Sequence, residues 1–84
     1  MIEVVFFAAL RERVGEDSLR VTPPETVTTV AALCDWLAER YPAVGRALDA
    51  TPRRMVAINE QLAEPHSAVA DGDTVALFPP VTGG

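Results

Sequence analysis

Apolar and polar positions alternate from the first residues of the chain. In Ile2 to Phe7, the set Ile2, Val4 and Phe6 falls on one side of an extended strand, and Glu3, Val5 and Phe7 fall on the other. Both sides are largely apolar, which predicts a central strand or a covered outer face. Ala8 to Val14 are good helix formers, and Gly15 follows them as a left-handed stop. A short helical turn is expected there. Ser18 to Thr22 alternates again, with Leu19 and Val21 together, and reads as a strand antiparallel to the first.

Pro23-Pro24 breaks the pattern. From Val30 to about Tyr41 the period changes from two to that of a helix. Val30, Leu33, Cys34, Leu37 and Tyr41 share one stripe, with Thr29 as the favoured N-cap. Pro42 ends this helix, because the residue before a proline resists the α region. It is the one full amphipathic helix expected, and Val44 to Leu48 add a short helical turn. Arg54 to Asn59 reads as a third strand with Val56 and Ile58 on one side. Asn59-Glu60-Gln61 is turn-like, Leu62 opens a short edge piece, and Asp71-Gly72-Asp73 is a tight turn. Thr74 to Phe78 is the last strand, with Val75 and Leu77 opposite Ala76 and Phe78.

The order β-β-α-β-(β)-β with one main helix predicts an α+β fold of two layers. Its layout is the β-grasp, or ubiquitin-like, arrangement: a mixed sheet whose first and last strands are central, parallel neighbours. Residues 1–78 form this domain, and residues 79–84 form an extended tail.

The tail, Pro79-Pro80-Val81-Thr82-Gly83-Gly84, carries the candidate chemistry. Two prolines cannot donate ladder hydrogen bonds and favour an extended path away from the sheet. Two glycines without Cβ atoms suit a narrow slot. The terminal carboxylate of Gly84 is then the working group. As an ionised carboxylate it is a poor electrophile, so it needs activation: adenylation, then replacement of AMP by sulfur.

Composition narrows the alternatives. The net charge of −5 argues against nucleic acid as a partner and fits a basic partner surface. One cysteine, Cys34, and one histidine, His66, allow neither an internal disulfide nor a zinc cluster. No stretch reaches membrane-spanning length and no signal peptide opens the chain, so a cytoplasmic protein without membrane contact is expected. Cys34 belongs to the core stripe rather than to a sulfur relay. His66 is a solvated loop residue. Trp36 is half-buried packing. Arg11 and Glu12 lie either on a solvated helix face or in an intermolecular ion pair. The chain holds no nucleophile–base pair, so no activity is expected of it alone. All seven basic residues are arginine.

The segments MIEVVFFAALRERVG, VAINEQL and DGDTVALFPPVTGG resemble the MoaD/ThiS family, in particular the small subunits of molybdopterin synthase. The likeness is loosest from Pro23 to Arg53. It implies that Gly84, with Gly83 beside it, is adenylated by an ATP-dependent, E1-like activating enzyme and converted to a thiocarboxylate. It implies insertion of the tail into a large synthase subunit within a heterotetramer, and sulfur transfer to cyclic pyranopterin monophosphate. It also implies docking through Phe7, Leu62 and Phe78 and along Pro79, Pro80, Val81 and Thr82. A sulfur carrier for thiazole or cysteine synthesis, a ubiquitin-like modifier and an inert interaction module are the competing readings.

Overall fold

A computed structural model describes residues 1–80; the expectations for Val81, Thr82, Gly83 and Gly84 lie outside the described residues. Strand β1 (Ile2–Phe6) leads into helix α1 (Ala8–Val14) and strand β2 (Ser18–Val21). Helices α2 (Val30–Arg40) and α3 (Pro42–Asp49) follow, then strands β3 (Met55–Ile58), β4 (Gln61–Ala63) and β5 (Thr74–Phe78). The sheet order is β2-β1-β5-β3-β4. β1 and β5 are parallel and pair Glu3 with Thr74 through Phe6 with Leu77. The other ladders are antiparallel. This is the expected β-grasp.

The alternation predicts which side is filled. Ile2, Val4, Phe6, Val75 and Leu77 are each at most 3% exposed. They pack with Leu10, Val30, Leu33, Leu37, Val44, Ala47 and Leu48 in one core. No polar side chain among the described residues is buried there. α2 begins where expected: the Thr29 hydroxyl accepts a hydrogen bond from the Ala32 amide at 3.2 Å. Thr29→Ala is expected to cost ~1 kcal/mol, the usual worth of such a cap, read as a lower denaturation midpoint at unchanged slope.

Two segments are more ordered than the sequence reading expects. Val44 to Leu48 is not a short turn but the heart of α3, eight residues long, which buries Val44, Ala47 and Leu48. Pro42 accounts for the difference. It ends α2, yet it also stands in the first turn of α3, where its missing N–H is no loss and its fixed φ suits a helix. Two helices therefore cover the sheet beside α1. The expected turn at residues 8–14 is likewise a seven-residue helix that buries Leu10 completely. Ala8, at φ 52°, bends the chain out of β1 into this helix, and Gly15 closes it at φ 85°, its amide bonded to the Arg11 carbonyl.

Candidate docking face and tail exit

The registers place the remaining apolar residues on the side of the sheet away from the helices. Val5 pairs with Ala76, Ala76 with Ala57, and Ala57 with Leu62, so these four form one row across four strands. Met55 pairs with Phe78 in the next row. Phe7 follows Phe6 at the same end and donates its amide to the Leu77 carbonyl at 3.1 Å. Phe7 and Leu62 are 47% and 71% exposed, and Phe78 is half-buried. Ala57 is buried but is not part of the core cluster; its neighbours on this open side shield it. The structure thus gathers Phe7, Leu62 and Phe78 on one surface. It adds Val5, Met55, Ala57 and Ala76, which the sequence reading did not single out. The signal was present: Met55 and Ala57 alternate with Val56 and Ile58.

Large apolar side chains turned to solvent on one side of a sheet mark a contact surface. This one runs to the end of β5, where Pro79 and Pro80 leave the ladder. Face and tail are therefore continuous. Arg53 and Arg54 precede Met55 at this end, and Arg11 and Arg13 lie on α1 just beyond Phe7. Arg54 is committed to the fold: its guanidinium donates to the Leu48 carbonyl at 3.1 Å and the Thr51 carbonyl at 3.3 Å, tying α3 to β3. Arg11 lies 3.8 Å from Asp17 in an exposed pair within the chain.

The other candidates fall where the sequence puts them. Cys34 is 7% exposed in the core. Burial pushes its thiol above the ordinary value of 9.0, and the neighbouring Arg54 guanidinium only partly offsets this. Folding therefore favours the neutral thiol, and this contribution is fully present below pH 9.0 and lost as pH rises above it. Iodoacetamide is expected to modify Cys34 far more slowly in the folded than in the denatured protein, followed by mass. Equal rates would show an accessible thiol. His66 is exposed, 3.1 Å from Glu64. Trp36 is half-buried, edge-on to Tyr41 at 6.5 Å and beneath the Arg40 guanidinium. Among the described residues, no group of His, Cys, Asp and Glu is placed to hold a metal ion. None of the described helices is long and apolar enough to cross a membrane.

Comparison with known proteins agrees with this geometry. The ThiS family model matches residues 4–84. The molybdopterin synthase sulfur carrier subunit of Haemophilus influenzae is 39% identical over 84 residues, 100% of each chain. SAMP1 of Haloferax volcanii, a small archaeal modifier protein, has a crystal structure matching at a TM-score of 0.79 and 34% identity, over 99% of this chain and 98% of that one. A chain of the protein–protein complex of subunits 1 and 2 of the molybdopterin-converting factor from Helicobacter pylori provides a third likeness. That structure matches at a TM-score of 0.64 and 25% identity, over 99% and 97% of the two chains. With the sheet order, the open apolar face and the proline exit all in place, the full-length match shows that this chain belongs to the ThiS family.

Proposed function

We propose that this chain is the sulfur carrier subunit of a molybdopterin synthase, with the Gly84 carboxyl as the atom group that carries sulfur. The observation that carries the reading is the 39% identity with the Haemophilus influenzae carrier subunit over 100% of both chains. The placement of the apolar face against the exit of the tail supports it. In this reading an E1-like enzyme binds ATP and adenylates Gly84. Sulfur then replaces AMP, giving a thiocarboxylate. The large subunit docks on Phe7, Leu62 and Phe78 and receives Pro79 to Gly84 in its active site. There the sulfur passes to cyclic pyranopterin monophosphate, one step in building the dithiolene of molybdopterin. The Helicobacter pylori complex of two subunits supports a large-subunit partner, and a heterotetramer with two carriers is the expected assembly. The reaction is placed in the cytoplasm.

Each part of the chain has a physical task. The sheet holds β5 rigid up to Phe78. The residue before each proline is restricted to extended backbone, so Phe78 and Pro79 launch the tail outward. Glycine at the last two positions leaves the acyl carbon open to attack from either side.

Leu62→Asp tests the docking face, because a charge there must be desolvated on binding. It is expected to weaken association with the large subunit by roughly 1–3 kcal/mol, the range for losing a buried anchor, with little change in melting temperature. Unchanged affinity would move the interface elsewhere. The likeness to the archaeal modifier protein favours a second reading, in which the same activated Gly84 is passed to a protein amine. Recovery of the chain as an amide rather than a thiocarboxylate would select it.

A further inference from the structure

The chain contains seven arginines and no lysine. This bears on what can attack an activated Gly84. We infer that the protein is an acyl donor whose own side chains cannot accept its acyl group: the activated terminus neither closes on its own molecule nor branches through side chains onto a second copy. The inference rests on the activated terminus proposed above.

The chemistry at issue is aminolysis. A Gly84 carboxylate oxygen attacks the α-phosphorus of ATP and pyrophosphate leaves, giving the acyl-adenylate. An amine nitrogen then attacks the acyl carbon. A C–N bond forms, the C–O bond to phosphate breaks, AMP leaves with the bonding pair and the amine gives its proton to water. A lysine ammonium near pKa 10.4 always supplies some free amine. The arginine guanidinium stays protonated and does not compete. Branching therefore has no side-chain acceptor in any copy.

The α-amino group of Met1 is the remaining amine, and the topology keeps it away from its own tail. It is ion-paired with Asp71, and the Met1 carbonyl accepts from the Gly72 amide at 2.7 Å. Because β1 and β5 are parallel, with Glu3 level with Thr74, Met1 sits at the end of the sheet opposite the tail exit. At about 3.3 Å per residue, the level of Phe78 is roughly 20 Å from Met1. The extended backbone imposed before each proline carries Pro80 roughly 6 Å farther. The four residues from Val81 to Gly84 span at most about 14 Å. Cyclisation is out of reach. The other strong nucleophile, the Cys34 thiol, is 7% exposed and held neutral by burial, so a thioester relay through it is closed as well.

The test uses the full 84-residue chain with Gly84 converted to a thioester by cleavage from an intein. No activating enzyme is needed, so failure of this inference is separate from failure of the sulfur-carrier reading, which shows as an absent thiocarboxylate when enzyme, ATP and sulfide are supplied. The thioester is incubated at high protein concentration and mildly alkaline pH, alone or with free lysine, and followed by denaturing gel, intact mass and peptide mapping. Free lysine is expected to cap the native chain, which shows a competent donor. Without it the native chain is expected to give neither circular monomer nor side-chain-linked dimer; hydrolysis to the acid and acylation of a second copy's Met1 amine are the routes left open. Arg13→Lys and Arg53→Lys, both at exposed positions, are expected to form side-chain-linked dimers. Circular monomer from the native chain would overturn the inference. So would side-chain-linked native dimers at the rate of the lysine variants, or lysine variants that form no dimers at all.

Discussion

Deletion of Gly84 is expected to leave a folded protein that supports no molybdopterin formation. Among the described residues the core reaches no further along the chain than Leu77, so the fold is expected to survive the deletion. Circular dichroism and the denaturation midpoint should match the parent. The loss in activity should nevertheless be complete. Without Gly84 the new terminus is Gly83, one residue, or about 3.4 Å, short of the place where the carbonyl must be activated. Misplacement of a reacting group by far less than this already costs orders of magnitude. One residue added after Gly84 is expected to be equally damaging, because the glycine carbonyl is then an amide rather than a free carboxyl. Full activity from the extended chain, with the extension still attached, would show that the terminal carboxyl is not the working group.

The second large effect separates two adjacent phenylalanines. Phe6 is 1% exposed among the core side chains, whereas Phe7 is 47% exposed on the opposite side of the sheet. Phe6→Ala removes a fully buried ring and is expected to cost about 3–5 kcal/mol. For a domain of this size that is a large share of its total stability, so much of the protein should be unfolded at moderate temperature. Phe7→Ala removes a ring that lies outside the core and is 47% exposed. Its stability should change by no more than about 0.5 kcal/mol, the usual range for a surface position, while affinity for the large subunit falls. Denaturant titration and a binding isotherm on both variants check the pair. Similar stability losses for the two would mean that the open side of the sheet is covered within this chain.

These two residues also show why much of the fold was legible. A period of two over Ile2 to Phe6 and over Thr74 to Phe78 assigns every side chain to a face. The helical stripe of α2 placed Cys34 inside in the same way. What escaped was written in residues with two meanings. Pro42 ends one helix and starts another, and a rule about termination does not reveal the second role. Ala8 turns the chain at a positive φ that alanine rarely adopts, and no local preference announces it. The hairpin turn at Asn59-Glu60 has positive φ at both residues without a glycine. It is held by the Asn59 side chain, which accepts from the Thr74 amide and donates to Asp73, each at 3.0 Å. Those partners lie fourteen and fifteen residues away along the chain. Met55 is different: its alternation with Val56 already assigns it to the open face, and the pairing of β3 with β5 sets it beside Phe78.

The chemistry followed a different route. Nothing in the core or in the open face specifies sulfur. That part of the reading came from the Pro-Pro-x-x-Gly-Gly ending and from the full-length relatives. The fold contributes position: a rigid strand, a forced exit and an apolar surface that leads to it.

The direct test of sulfur carriage is intact mass spectrometry of this chain after incubation with an E1-like activating enzyme, ATP and a sulfide source. The account predicts a mass gain equal to one oxygen replaced by one sulfur, mapped by fragmentation to the carboxyl of Gly84 and unchanged in Cys34→Ala. An unmodified mass with an active enzyme, or the same mass gain mapped to a residue other than Gly84, would contradict it.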